Sequence, residues 1–118
     1  MLITLPLPPN MANSRMHWRV KNRERKAYIA LCYWDAVVCL VNPDDMLADK
    51  AAITATIYHT HTSDQDNLMA RLKWPVDWIK DNGYIWDDDP DHLVWTGVPT
   101  QVKCKRDERR VEFVLEAA

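Results

Sequence analysis

The chain has 118 residues, of which 47% are hydrophobic and 27% are charged, and its formal net charge is −2 at pH 7. This is the composition of a globular protein. The length predicts one domain over residues 1–118, with a core large enough to be stable without disulfide bonds or a structural metal ion. Only two glycines occur, which excludes a Gly-rich phosphate loop, and no apolar run reaches the roughly 18 residues of a membrane span.

The cysteines indicate the compartment. There are three cysteines, an odd number, at positions Cys32, Cys39 and Cys104, and no two of them form a C-x-x-C pair. This pattern argues against a disulfide framework and against a structural zinc site. The first nine residues lack the basic start and long apolar core of a signal peptide. We therefore expect a cytoplasmic protein with no membrane partner.

Periodicity predicts the elements in chain order. The main ones are an edge strand over 2–7, a helix over 23–41, a strand over 50–59, a helix over 67–81, and strands over 92–102 and 109–116. The apolar residues of the first helix should lie against a sheet or a partner subunit. Pro75 should split the second helix near residues 71–75, with Lys73 near the joint.

These elements predict the fold class. We expect an α+β protein, a two-layer sandwich in which two main helices pack on a mixed sheet. The order is β-α-β-α-β-β, with a short extended piece at residues 84–86, and the last two strands are predicted to form a C-terminal antiparallel hairpin.

Charge is unevenly distributed along the chain. Basic residues cluster over 15–26 and 103–110, whereas acids concentrate over 35–49 and 64–91. Basic clusters can bind phosphates, although solvated surface charge is the alternative. The predicted loop over 10–22 contains Trp18, which could stack on nucleic acid or fold back onto the core.

One acidic stretch has the spacing of a metal site. Asp64 and Asp66 lie where a strand ends and a helix begins, Lys73 follows, and a second acidic run covers 87–89. Carboxylates that converge from separate elements suit Mg²⁺, which can polarise a phosphate and activate water. The alternative is a helix cap followed by a solvated acidic turn.

These motifs together resemble those of a known family. The run Asp64-Gln65-Asp66-Asn67-Leu68, then Asn82-Gly83-Tyr84 and Asp87-Asp88, resembles the RusA-type Holliday junction resolvases of bacteria and phages. The opening over residues 4–9 and the predicted final hairpin are similar too, so the resemblance covers nearly the whole chain. It implies a homodimer that binds four-way DNA junctions and cuts strands of like polarity with Mg²⁺, for which Mn²⁺ can substitute.

The resemblance also implies residue roles. The predicted catalytic residues are Asp64, Asp66, Lys73 and Asp88; the three acids bind the metal, with Asp87 as the substitute for Asp88 and Arg71 as the alternative to Lys73. Asn13 and Arg15 match the junction-binding loop. With the basic residues nearby, the predicted DNA contacts are Asn13, Arg15, Arg19, Lys21 and Arg71.

Three rival functions remain open. The first is a metal-dependent nuclease for other branched DNA. The second is a non-catalytic DNA-binding or scaffold protein on the same fold. The third is a zinc hydrolase that uses His59, His61 and Asp64.

Overall fold

The computed structural model describes residues 1–9, 17–40, 49–62 and 65–118, and of residues 65 and 66 it describes the backbone alone. In chain order the elements are β1 (Leu2–Leu5), α1 (Trp18–Asp35), β2 (Val37–Cys39), β3 (Ala51–His59), α2 (Gln65–Arg71), α3 (Lys73–Asp81), β4 (Leu93–Trp95), β5 (Thr100–Lys103), a 3₁₀ turn (Arg106–Glu108) and β6 (Arg110–Ala117).

The strands form one mixed sheet with the order β2-β1-β6-β3, and β4 and β5 both pair with the outer side of β3. Strand β6 runs antiparallel to both β1 and β3, with Phe113 opposite Ile3 on one side and Ala55 on the other. Strands β4 and β5 run parallel to β3. The predicted α+β class with a mixed sheet is therefore confirmed.

The core lies on one face of this sheet. Alternate residues of the long strands are buried, namely Ile53, Ala55 and Ile57 of β3 and Val111, Phe113 and Leu115 of β6. Buried side chains of all three helices complete the same core cluster. The residues that alternate with them, such as Ala52 and Thr54 of β3 and Glu112 and Val114 of β6, are partly or fully exposed, so the helices cover one face, as a two-layer arrangement requires.

The first helix differs from its prediction at both ends. It begins at Trp18, inside the predicted loop, and ends at Asp35, because the β-branched pair Val37-Val38 leaves the helix and pairs with β1. The strand over Val37–Cys39 covers the outer side of β1, so the prediction that β1 is an edge strand is wrong.

The C-terminal strands also differ from their prediction. Strands β5 and β6 run in opposite directions as expected, but they do not pair with each other, because β3 lies between them. The predicted hairpin is therefore wrong in its pairing. The strand predicted over 92–102 is two short strands, and residues 84–86 form turns and bends where an extended piece was predicted.

No helix in the described part of the chain is both long and apolar enough to cross a membrane.

Candidate active site

The joint between α2 and α3 positions Lys73. Pro75 lies in the first turn of α3 and has no N–H, so it cannot continue the hydrogen-bond ladder of α2. The N–H of Leu72 contacts the carbonyl oxygens of both Leu68 and Met69 at 3.2 Å, and α3 then begins at Lys73. The predicted split near Pro75 is confirmed, and it leaves the Lys73 side chain exposed.

Lys73 bridges two carboxylates. Its Nζ lies 3.0 Å from Oδ2 of Asp88 and 3.2 Å from Oδ1 of Asp77, one turn further along α3. The hydrogen bond to Asp88, followed by that to Asp77, raises the pKa of Lys73 above its usual range. Lys73 is therefore a persistent cation, suited to stabilising negative charge and unsuited to accepting a proton.

Asp77 joins this site to the first helix. Its Oδ2 lies 3.5 Å from a terminal guanidinium nitrogen of Arg25 on α1. Arg25, Asp77, Lys73 and Asp88 thus alternate in charge along one connected chain. Sequence reasoning missed Asp77, although its spacing of four residues from Lys73 is a recognisable helical ion-pair signal. Exposed pairs contribute only about 0.2–1 kcal/mol to stability, so their main consequence is the orientation of Lys73.

The end of α3 directs the chain back toward Lys73. Gly83 adopts φ +79°, its N–H bonds to the carbonyl of Lys80, and the N–H of Tyr84 bonds to the carbonyl of Ile79. This pair of bonds is a Schellman termination, with Gly83 in the left-handed conformation that it requires. It turns the chain sharply, so that the acidic run 87–89 follows close to α3.

Each acid of that run has a different partner. Asp87 Oδ1 accepts the backbone N–H of Asp88 at 2.8 Å and pairs with Nζ of Lys80 at 3.2 Å; these contacts, the backbone bond first, lower the pKa of Asp87. Asp89 Oδ1 lies 2.7 Å from Nδ1 of His92. Asp88 is therefore the acid whose side chain pairs with Lys73, whereas the side chain of Asp87 pairs with Lys80.

Four predicted residues fall wholly or partly outside this description. Asp64, Asn13 and Arg15 lie outside the described residues, and of Asp66 only the backbone, in the first turn of α2, is described. Among the described side chains, no group of three His, Cys, Asp or Glu residues is placed to bind a metal ion. Two of the three predicted metal ligands are not among those side chains, so the metal site stays a prediction.

The other predicted DNA contacts surround a basic groove. Two cavities of about 370 and 480 Å³ adjoin between the start of α1 and the α2–α3 joint, with Lys21 and Trp74 lining both. Lys73 and Arg71 line the first cavity, and Arg25 and Trp18 line the second. The structure thus brings Lys21 and Arg71 to the same groove as Lys73. Arg19 is exposed beside it, with its guanidinium carbon 5.4 Å from the Trp18 ring centroid.

Arg71 is a structural neighbour of Lys73 with its own contact. Its Nε donates to the carbonyl oxygen of Pro8 at 2.7 Å, which ties α2 to the segment after β1. Burial lowers the pKa of Arg71, and the charge of Arg109 adds to this. Lys73, not Arg71, is the residue that contacts Asp88.

The histidines at the end of β3 lie in a cationic setting. The rings of His59 and His61 are 5.9 Å apart, and Nδ1 of His59 accepts the backbone N–H of Thr60 at 2.7 Å. Burial, then the charges of Arg71 and Arg109, lowers the pKa of His59. Neighbouring positive charge opposes a bound cation, which disfavours the zinc hydrolase alternative.

Comparison with protein-family models, curated proteins and solved structures gave no match to the chain. Function must therefore be inferred from the residues and their geometry, and the resemblance to RusA-type resolvases stays a prediction.

Proposed function

We propose that this protein is a Mg²⁺-dependent endodeoxyribonuclease that resolves four-way DNA junctions, as RusA-type resolvases do. The observation that carries the proposal is the contact of 3.0 Å between Lys73 and Asp88. These residues are 15 positions apart in the sequence. Lys73 follows Asp66, the second acid of the Asp64-x-Asp66 motif, by seven residues. Lys73 lines the basic groove and Asp88 contacts it, and a cation beside a carboxylate suits phosphodiester hydrolysis when a metal is bound.

The carboxylates are the proposed metal ligands. Asp64, Asp66 and Asp88 would hold Mg²⁺, since carboxylate oxygens are its preferred protein ligands, and Mn²⁺ could replace it. Asp88 fits this role because its side chain is partly exposed and its contact with Lys73 is made through one oxygen, Oδ2. When bound, the ion would supply Lewis-acid activation of a phosphate and of water.

Lys73 supplies fixed positive charge in this proposal. Its ammonium group has three N–H donors, of which Asp77 and Asp88 engage two. The third can donate to a phosphate oxygen and stabilise the charge that develops there during cleavage. Asp77, fixed in turn by Arg25, keeps the ammonium pointed toward Asp88.

The groove is the proposed DNA contact surface. Lys21 and Arg71 would pair with backbone phosphates, with Arg19 beside them and Asn13 and Arg15 contributing from the preceding segment. Contacts of this kind read the shape of DNA and not its sequence. They would position a junction arm so that its scissile phosphate approaches Lys73.

A homodimer is part of the proposal, because symmetric cleavage of a four-way junction requires two sites related by a two-fold axis. The support for it is an apolar face on α1 that the described part of the chain leaves exposed. Ala27, Ala30, Leu31 and Trp34 follow helical spacing and all are exposed, with Trp34 at 87%. We propose a cytoplasmic location for this dimer, in keeping with three free cysteines.

Cleavage of a synthetic four-way junction tests the proposal. With Mg²⁺ we expect paired symmetric nicks on the junction, no nicks on a linear duplex of the same sequence, and no nicks with EDTA. Asp66→Asn, Asp88→Asn and Lys73→Ala should each reduce the cleavage rate by about 10²-fold or more while junction binding in EDTA persists. Asp91→Asn and Lys80→Ala are the matched controls, because Asp91 lies two residues after the acidic run 87–89 and Lys80 lies on the same helix as Lys73.

Other outcomes would redirect the assignment. Cutting of both substrates would indicate a general nuclease, and cutting of flaps alone a nuclease for other branched DNA. Tight junction binding without cutting in Mg²⁺ or Mn²⁺ would favour the non-catalytic DNA-binding protein. The basic groove alone would suffice for that function, since it does not require Asp64 or Asp66.

A further inference from the structure

We infer that the groove between α1 and the α2–α3 joint is a binding site for one unpaired DNA strand, with Trp18 stacking on a base. This inference rests on the proposed function for the identity of its ligand as DNA. It goes beyond phosphate binding because it assigns Trp18 a role and distinguishes a single strand from a duplex.

The charge of the groove indicates a polyanion. Of the described residues that line its two cavities, four are cationic, namely Lys21, Arg25, Arg71 and Lys73, and none is acidic. Arg25 and Lys73 are partly neutralised by Asp77 and Asp88. Lys21 forms no ion pair within the described residues, and Arg71 has a backbone carbonyl as its partner there. These two cations therefore have charge available for phosphates.

The floor of the groove is rigid and aromatic. Trp74 is 9% exposed and lines both cavities, and its ring centroid lies 6.3 Å from that of the buried Tyr28 on α1. The hydroxyl of Tyr28 donates to the carbonyl oxygen of Pro6 at 2.8 Å. The groove is therefore formed by packed elements and does not need a ligand to assemble its floor.

Trp18 provides an exposed aromatic surface at one end of this groove. It is 66% exposed although it is the first residue of α1, and His17 and Arg19 are its ring neighbours at 5.6 and 5.4 Å. Exposing an indole costs solvation free energy that a stacked base would recover. Stacking of a base on an aromatic side chain is a recurrent feature of single-strand sites, and Arg beside the ring strengthens it.

A single strand fits this combination better than a duplex. In a duplex the base faces are covered by neighbouring base pairs, so an indole can reach a base face only where bases are unstacked. The cavities have the volumes of small-ligand pockets, about 370 and 480 Å³. The branch point of a DNA junction supplies strands with unstacked bases. The groove is therefore suited to a strand near the branch point, next to the proposed active site at Lys73.

The test is binding of a short oligothymidylate, about 16 nucleotides, and of a duplex of equal length to the full chain in EDTA. We expect Trp18→Ala to weaken oligothymidylate binding about tenfold or more, to remove most of the tryptophan quenching, and to change duplex binding little. Trp86→Ala is the matched control, because Trp86 is 64% exposed and does not line the groove. The thermal midpoints of the variants should equal that of the parent.

Lys21→Ala tests the phosphate contact in the same assay. It should weaken binding and reduce the slope of log K against log salt concentration by about 0.7, the value for one phosphate of a single strand. Lys26→Ala is its control, since Lys26 is exposed on α1 and points about 140° away from Lys21 on a helix of 3.6 residues per turn.

Two results would overturn the inference. One is oligothymidylate binding by Trp18→Ala equal to that of the parent. The other is that Trp18→Ala loses affinity equally for oligothymidylate, for the duplex and for inorganic polyphosphate, which has no bases. That result would indicate an electrostatic site without stacking. If the parent cuts junctions but Trp18→Ala binds oligothymidylate normally, the groove assignment is wrong and the proposed function stands. If oligothymidylate binding depends on Trp18 but the parent cuts no junction, the proposed function is wrong and the single-strand site stands.

Discussion

A single ammonium group between two carboxylates defines the chemistry available at Lys73. The contact with Asp88 is the larger cause of its raised pKa, and the contact with Asp77 adds to it. Because both partners favour the charged form, Lys73 remains protonated over the whole physiological range. This assigns Lys73 to charge stabilisation, and leaves activation of water to the metal and its carboxylates.

The order of these two causes gives the first prediction. Asp88→Asn should lower the pKa of Lys73 more than Asp77→Asn does. Asp77→Glu keeps a carboxylate at this position, so the pKa of Lys73 in this variant should stay closer to that of the parent than in Asp77→Asn. A pH titration of the Lys73 side-chain carbon resonance by NMR measures both shifts. We also expect Asp77→Asn to reduce junction cleavage about tenfold without changing junction affinity, because Lys73 loses its orientation. An unchanged Lys73 pKa in Asp77→Asn would contradict the positioning role of Asp77.

Two histidines give a second prediction, because their pKa values are shifted in opposite directions. The hydrogen bond to Asp89 raises the pKa of His92, whereas burial and nearby arginines lower that of His59. His92 therefore adds stability below its ordinary pKa of about 6.5, and this is lost as pH rises through the raised value. The folded chain favours the neutral form of His59, whereas the unfolded chain takes up a proton at about pH 6.5. The contribution of His59 to stability is therefore present above about pH 6.5 and is lost as the pH falls below that value.

Histidine titration by NMR checks both directions in one experiment. His92 should titrate above about 6.5 and His59 below it. Asp89→Asn should return His92 toward the ordinary value and leave His59 unchanged, which makes His59 the control. Titration of both groups at the same pH would refute the assignment of their causes.

At the scale of elements, β6 organises the sheet, since it pairs with β1 along one side and with β3 along the other. Phe113 in its middle is fully buried. Phe113→Ala should lower the free energy of unfolding by about 3–5 kcal/mol, through lost burial and the cavity left behind. Total stabilities are about 5–15 kcal/mol, so this variant should be close to unfolding.

Urea denaturation measures this effect. Val114→Ala is the control, because Val114 is 39% exposed on the opposite face of the same strand, and its effect should be within about 1 kcal/mol. A loss of similar size in both variants would mean that β6 contributes through strand propensity and not through its buried face.

Elements with a strong local signal were predictable from the sequence. The alternation in β3 and β6 gave their bounds within one residue, and Pro75 gave the joint that exposes Lys73. What failed depended on distant pairing. Val37 and Val38 continue the helical spacing of α1, and only their pairing with Thr4 and Ile3, respectively, makes them a strand. Likewise, no local pattern reveals that β3 separates β5 from β6.

The candidate site divides in the same way. The motif named Lys73 and Asp88 as members of one site, and the structure brings their side chains into contact, while their catalytic roles stay a prediction. Asp77 was not identified, because a helical ion pair of this spacing is common on protein surfaces. The basic groove could not be predicted from the sequence either, since Lys21 and Arg71 are 50 residues apart and Arg19 and Lys21 were expected in a loop.

At the scale of the whole molecule, the exposed apolar face of α1 leads to a prediction about assembly. The sequence predicted that this face would pack on the sheet or on a partner subunit, and in the single chain Leu31 and Trp34 remain 44% and 87% exposed. Tyr28 and Cys32 occupy the buried side of α1 instead. An apolar helical face of this kind suits a second copy of the chain.

Light scattering coupled to gel filtration tests this assembly. We expect the parent to have twice the chain mass of 13.8 kDa, and Leu31→Lys with Trp34→Lys to have the mass of one chain. Val98→Lys is the control, because Val98 is equally apolar and 55% exposed but lies between β4 and β5. The monomeric variant should nick junctions on one strand without the paired symmetric cut. A parent that runs as a monomer at all concentrations would exclude the dimer.

The break between β4 and β5 has a consequence for behaviour at high concentration. The strands on the outer sides of the sheet, β2, β4 and β5, have only three, three and four residues in the described part of the chain. Gly97 and Pro99 separate the last two, and proline offers no N–H to an incoming strand. Within the described residues, a foreign strand therefore finds no long unpaired edge to extend, an arrangement that opposes growth of the sheet into fibres.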